Sequence, residues 1–124
     1  MKKQIISILF ALLVPAVALA GPGKRDAEVA LAEARSGVEA AERAGAAEHA
    51  PNDLNAARDD FARATGAFDH HDWEDSLMAS EKTRADGTLA EARSRQHRAE
   101  TTTAEVERAV RTLRTELGVK GDER

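Results

Sequence analysis

APNDLNAARDDFARATGAFDHHDW, residues 50–73, contains the end of one helix, the whole of a second and the start of a third. Pro51 disfavours helix at the residue before it, yet it suits the first turn of a new helix, where its missing N–H is not needed. From there Leu54, Ala57, Phe61, Ala64 and Phe68 recur at alternating intervals of three and four, which draws one apolar stripe along a helix over 51–69. Phe61 and Phe68 make this stripe the expected centre of the core. His70-His71-Asp72 then forms a tight connection, with Asp72 placed to cap a helix that starts at Trp73 and Asp75 favoured in its first turn by the helix dipole. Helix, short turn and helix make an antiparallel hairpin.

The pattern continues on both sides. Upstream, Ala27, Leu31, Ala34, Val38, Ala41 and Gly45 keep the same spacing and predict one helix from Lys24 to His49. Downstream, Ser76, Ser80, Thr83, Gly87 and Ala90 form a stripe of small residues flanked by Leu77 and Leu89, so the third helix can lie close against its neighbours. The helix over 51–69 is about 28 Å long, so an antiparallel neighbour draws level with Pro51 near Glu91 and everything beyond overhangs. The overhang has neither Gly nor Pro before Gly118, although Thr101-Thr102-Thr103 is a weak helical spot. Along it the stripe resumes two residues out of phase as Ala99, Thr103, Val106, Val110, Leu113 and Leu117. That second seam has no partner within the hairpin. Self-association or a helix of another envelope protein is expected at Val106, Val110, Leu113 and Leu117.

The expected fold is therefore all-α: an elongated antiparallel helical hairpin or three-helix unit with a long projecting C-terminal helix. Composition agrees, with 32 % charged residues, 3 % aromatic residues and abundant alanine, the residue cheapest to place in a helix. Alanine buries little area per residue, so a thin bundle follows rather than a globule with a deep pocket. The net charge of −4 makes nucleic acid an unexpected partner. At the start, Lys2 and Lys3 precede an apolar run from Ile5 to Ala18, and Ala18-Leu19-Ala20 before Gly21 is the small-x-small pattern of a signal-peptidase site. Cleavage between Ala20 and Gly21 after Sec export is expected. The alternative is an inner-membrane anchor made by an uncleaved leader, against which the run is short and Pro15 disturbs its end. The processed chain is expected in the periplasm or outside the cell, with no transmembrane span. It has no cysteine, hence no expected lipid anchor, disulfide or thiol chemistry.

Candidate chemistry is sparse. His70, His71 and Asp72 are adjacent, but His49 lies at the far end of the helix over 51–69 and one ion cannot use both ends; no metal and no cofactor is expected. Arg93, Arg95, His97 and Arg98 form a basic cluster in which Glu91 offsets Arg95 at helical spacing, so a solvated face is expected. Asp59, Asp60, Asp69, Asp72, Glu74 and Asp75 read as helix-surface and first-turn carboxylates without a dry cleft, and no nucleophile stands beside a base. Trp73 is expected to plug the open end of the hairpin. An enzyme is not expected.

The run from Gly45 to about Ala99 carries a family resemblance. Gly45-Ala46, Ala50-Pro51, Leu54, Asp72-Trp73, Ser76, Ser80, Thr83, Asp86-Gly87 and Ala90-Glu91-Ala92-Arg93 resemble the alanine-rich bacterial family known as domain of unknown function 4398 (DUF4398). The resemblance implies a helical, tetratricopeptide-like hairpin in exported proteins, many of them lipoproteins and some with a peptidoglycan-binding domain. It brings no activity. Ser76, Ser80, Thr83 and Gly87 stand where the family mostly has alanine. The chain thus divides into a signal peptide (1–20), a helical hairpin domain (21–100) and a C-terminal amphipathic helix with its tail (101–124). The expected role is a non-catalytic periplasmic or cell-envelope structural or protein-interaction module. The alternative is a periplasmic peptide-binding or chaperone-like helical module.

Overall fold

The computed structural model describes residues 21–122, so the expected leader lies outside the described residues. Four helices follow one another: α1 (Lys24–Arg43), α2 (Ala46–His49), α3 (Pro51–Asp69) and α4 (Trp73–Asp122), with no strand among the described residues. The fold is all-α. No helix among the described residues is long and apolar enough to cross a membrane.

The single helix expected from Lys24 to His49 is broken. Gly45 adopts φ 83°, a left-handed conformation that a Cβ would penalise, and it separates α1 from the one-turn α2. The Gly45 N–H donates to the Glu42 carbonyl at 3.0 Å, closing the end of α1. Pro51 then opens α3 at its first position. At the other end of α3 the backbone makes a Schellman turn: the N–H of His71 donates to Phe68 at 3.0 Å and that of Asp72 to Ala67 at 2.9 Å, with His71 at φ 63°. Asp72 caps α4, its Oδ1 accepting from the Asp75 N–H at 3.3 Å.

α3 runs antiparallel to both α1 and α4, so α1 and α4 are parallel and α4 lies against both. Three cross-links set the α3–α4 register: Ser76 to Ala64, Lys82 to Asp60 and Arg93 to Asp53. The last confirms that α4 draws level with the start of α3 near residue 91. α1 meets α4 through Gly37 and Gly87, where a Cβ on Gly87 would stand 2.9 Å from the Gly37 carbonyl carbon and oxygen. The small stripe of α4 faces this joint: Ser76, Ser80, Thr83, Ala90 and Ser94 are all fully buried. Its last member, Ser94, lies one step beyond the stripe read from sequence.

The core sits nearer the Gly45 end than the aromatic spacing of α3 suggests. Val38, Ala41, Ala46, Ala50, Leu54, Ala57 and Ala90 form it, and Phe61 packs against its edge. Phe61 carries the Arg35 guanidinium 5.8 Å from its ring centre. Phe68 is half-buried at the open end, where the Trp73 ring meets it edge-on at 5.2 Å, the plugging position expected for Trp73. Past Ser94 no residue up to Gly118 is buried, yet α4 continues without a break through Thr101-Thr102-Thr103. Thr101 and Thr103 donate their hydroxyls to the carbonyls of His97 and Ala99, one turn back along the helix. The unsupported part of α4 is about 40 Å long.

Candidate protein-interaction surface

Two stripes run along α4, on opposite faces. The buried one, from Ser76 to Ser94, is filled by α1 and α3. The other is two residues out of phase, about 200° around the helix. Up to Gly118, every exposed large apolar side chain of α4 belongs to this outer stripe: Met78, Leu89, Val106, Val110, Leu113 and Leu117. Val106, Leu113 and Leu117 keep 57 %, 56 % and 69 % of their surface in solvent, and Val110 keeps 40 %. Nothing within the described residues covers them.

The outer stripe is longer than the seam read from sequence. Continued backwards from Ala99 at alternating three and four, it passes Gln96, Ala92, Leu89, Ala85 and Lys82 and reaches Met78. The signal was present in the spacing, but Lys82 and Gln96 interrupt its apolar character, and Leu89 reads as a flank of the inner stripe until the packing shows it exposed. The two stripes also differ in chemistry. The inner one is made of small residues that admit helix backbones, and the outer one ends in large branched side chains that fill space against a partner.

About half of the charged groups around the body are in ion pairs. Glu91 forms an ion pair with Arg95 at 2.5 Å, the helical pair anticipated in the basic cluster, and Asp53 holds Arg93 at 2.6 Å. Glu42 of α1 holds Arg58 of α3 at 2.6 Å. Asp60 departs from the surface position expected of it: it is 5 % exposed, bonded to Lys82 of α4 and approached by Arg63 at 3.5 Å. The Lys82 ammonium holds the Asp60 carboxyl below its usual range against the opposing effect of burial. Lys82, shared between Asp60 and Asp86, is held above its usual range by the bonds to them. This arrangement ties α3 to α4. It lies beside an open groove lined by Gly66, Met78 and Lys82, with no enclosed cavity around it.

The histidines separate into two places. His70 and His71 are exposed at the α3–α4 turn, with the His71 ring 5.2 Å from that of Trp73. His49 and His97, which sequence alone leaves unconnected, stack with ring centres 5.0 Å apart and join α2 to α4. No group of three or more His, Cys, Asp or Glu side chains among the described residues is arranged to hold a metal ion.

The chain matches no curated protein and no solved structure. It does match the family model described as "Domain of unknown function (DUF4398)", over residues 29–110. The match takes in most of α1, all of α2 and α3, and α4 as far as Val110, which is more than the run from Gly45 to Ala99 that carries the resemblance in the sequence. It covers over half of the chain and, apart from Ala27, the buried joint between α1, α3 and α4. This chain belongs to the DUF4398 family.

Proposed function

We infer that this protein is a non-catalytic interaction module of the cell envelope, in which a three-helix body holds out a long helix whose outer stripe binds another protein. The observation that carries this reading is the exposure of Val106, Val110, Leu113 and Leu117 on one face of an uninterrupted helix. An apolar seam several turns long in water is a surface awaiting a partner. The leader read from residues 1–20 supports export to the periplasm or beyond. About half of the charges around the body are tied up in ion pairs, and the grooves seen among the described residues are open rather than enclosed, which favours binding over catalysis. The groove beside Met78 favours a second reading, in which the outer face of α4 holds extended peptides as a chaperone-like module does.

Photocrosslinking from within the seam tests both. The full chain, carrying a photoreactive side chain in place of Val110 or, as a control on the opposite face, Arg108, is produced in cells, irradiated and fractionated. The expected result is a discrete crosslinked species from position 110, none from position 108, and recovery in the periplasmic fraction as a chain beginning at Gly21. A smear of many masses from position 110 points to the chaperone-like reading. Equal or absent crosslinking at both positions overturns the interaction surface.

A further inference from the structure

We propose that the outer stripe of α4 pairs with a second copy of this chain, as a parallel, in-register, two-stranded coiled coil from Leu89 to Leu117. The proposal rests on the interaction reading above and names its partner. The spacing fixes the heptad: Leu89, Gln96, Thr103, Val110 and Leu117 fall at a, and Ala92, Ala99, Val106 and Leu113 at d. In the middle of the stretch Thr103 and Val110 are β-branched at a and Leu113 stands at d, the arrangement that favours two parallel strands, a signal that Leu89 and Leu117 at a and Val106 at d do not carry.

Gln96 decides the direction. In any antiparallel register a residue at a faces one at d, so across the seam Gln96 meets only an apolar side chain and keeps just its bond to Glu100 of its own chain. In the parallel in-register pair Gln96 faces its own copy, and two amides donate and accept to each other. The flanking charges agree. Arg95 at g then meets Glu100 at e of the other chain on both sides of this layer, a complementary pair. In the single chain Arg95 is held by Glu91, and Glu100 accepts from Gln96 at 2.8 Å, so both acceptors lie within one turn of the new contact. An antiparallel overlap of the stripe from Met78 to Leu117 would instead set Asp86 against Glu107 and Glu81 against Glu116, and one with Leu89 opposite Leu113 pairs Arg93 with Glu107 but sets Glu100 against its own copy. A short antiparallel overlap that pairs Glu107 with Arg114 spans only Val106 to Leu117 and leaves Leu89 in water.

The same rules set where the pairing stops. Towards the start of α4 the next a position is Lys82, which would face its own copy, and Glu81 would face Asp86. Both Lys82 and Asp86 are engaged around Asp60 of their own body. The paired stretch is therefore about four heptads, roughly 42 Å, enough for a weak to moderate coiled coil. The buried contacts of the body with α4 end at Ser94, so most of the paired stretch lies beyond the body.

Sedimentation of residues 21–124, which include all of the described fold, tests the partner. The mass is expected to double at micromolar chain concentration, and Val110→Asp with Leu113→Asp is expected to return it to one chain with the helical signal of the body retained. Both positions are exposed in the single chain, so loss of pairing is separable from loss of fold. Direction is read from Leu113→Cys. In a chain with no cysteine of its own, oxidation links two copies through this d position only if the strands are parallel and in register. Full conversion to the linked dimer supports the proposal. A dimer that does not link at position 113 overturns the parallel register. A chain that stays single while position 110 crosslinks to a protein of another mass overturns the second copy as partner and leaves the interaction surface standing.

Discussion

Three serines on one buried stripe have three different surroundings. Ser76 donates its hydroxyl to the Ala64 carbonyl of α3 at 3.0 Å, and Ser94 donates to the Ala44 carbonyl at the end of α1 at 2.6 Å. The Ala44 carbonyl belongs to a helix end, where carbonyls lack intrahelical partners, so Ser94 supplies what the end of α1 needs. The Ser80 hydroxyl is equally buried and has no partner. A buried hydroxyl without a partner carries a desolvation cost of about 1–3 kcal/mol, whereas one that is bonded contributes about 1 kcal/mol. Ser80→Ala is therefore expected to raise stability and Ser94→Ala to lower it, the two differing by about 2 kcal/mol in chemical denaturation. Equal effects from the two substitutions would mean that the Ser94 bond adds nothing. Serine at 76 anchors α4 to α3 and serine at 80 does not; sequence spacing alone cannot separate them.

At the scale of elements, the joint between α1 and α4 depends on how closely two backbones approach. Gly37 and Gly87 face each other, but their surroundings are unequal. A Cβ on Gly87 would stand 2.9 Å from the Gly37 backbone, while one on Gly37 would meet the Arg84 Cα at 3.5 Å, an ordinary contact. Gly87→Ala is expected to force α1 and α4 apart and cost about 1–3 kcal/mol. Gly37→Ala is expected to be neutral or to gain up to about 1 kcal/mol, since alanine is the better residue inside a helix. Thermal melting followed by circular dichroism distinguishes the two, and a loss at both positions would show that the joint admits no methyl on either side. The turns are more legible than the joint. Asp72 and Pro51 announce the boundaries of α4 and α3 through local chemistry, and both stand where the sequence reading puts them. Gly45 reads as one more small residue on the α1 stripe, because only the fold requires a left-handed residue there.

For the whole molecule, burial stops long before α4 does. The last buried residue is Ser94, and α4 runs on to Asp122. A chain ending at Glu100 keeps every buried contact of the body, so at low concentration its stability is expected to lie within about 0.5 kcal/mol of the longer chain. A large loss of stability would mean that the projecting helix supports the body in a way its exposure does not suggest. The all-α class, the boundaries of α3, the start of α4 and the apolar spacing from Val106 to Leu117 follow from sequence alone, since periodicity, caps and helix breakers are local properties of the chain. Tertiary structure decides the rest. It breaks the first helix at Gly45, buries Asp60 beside Lys82, stacks His49 on His97 and extends the outer stripe back to Leu89 and Met78. Each of these depends on which faces of α1, α3 and α4 meet, and that choice is made by close packing between residues far apart in the chain, where no local pattern records it.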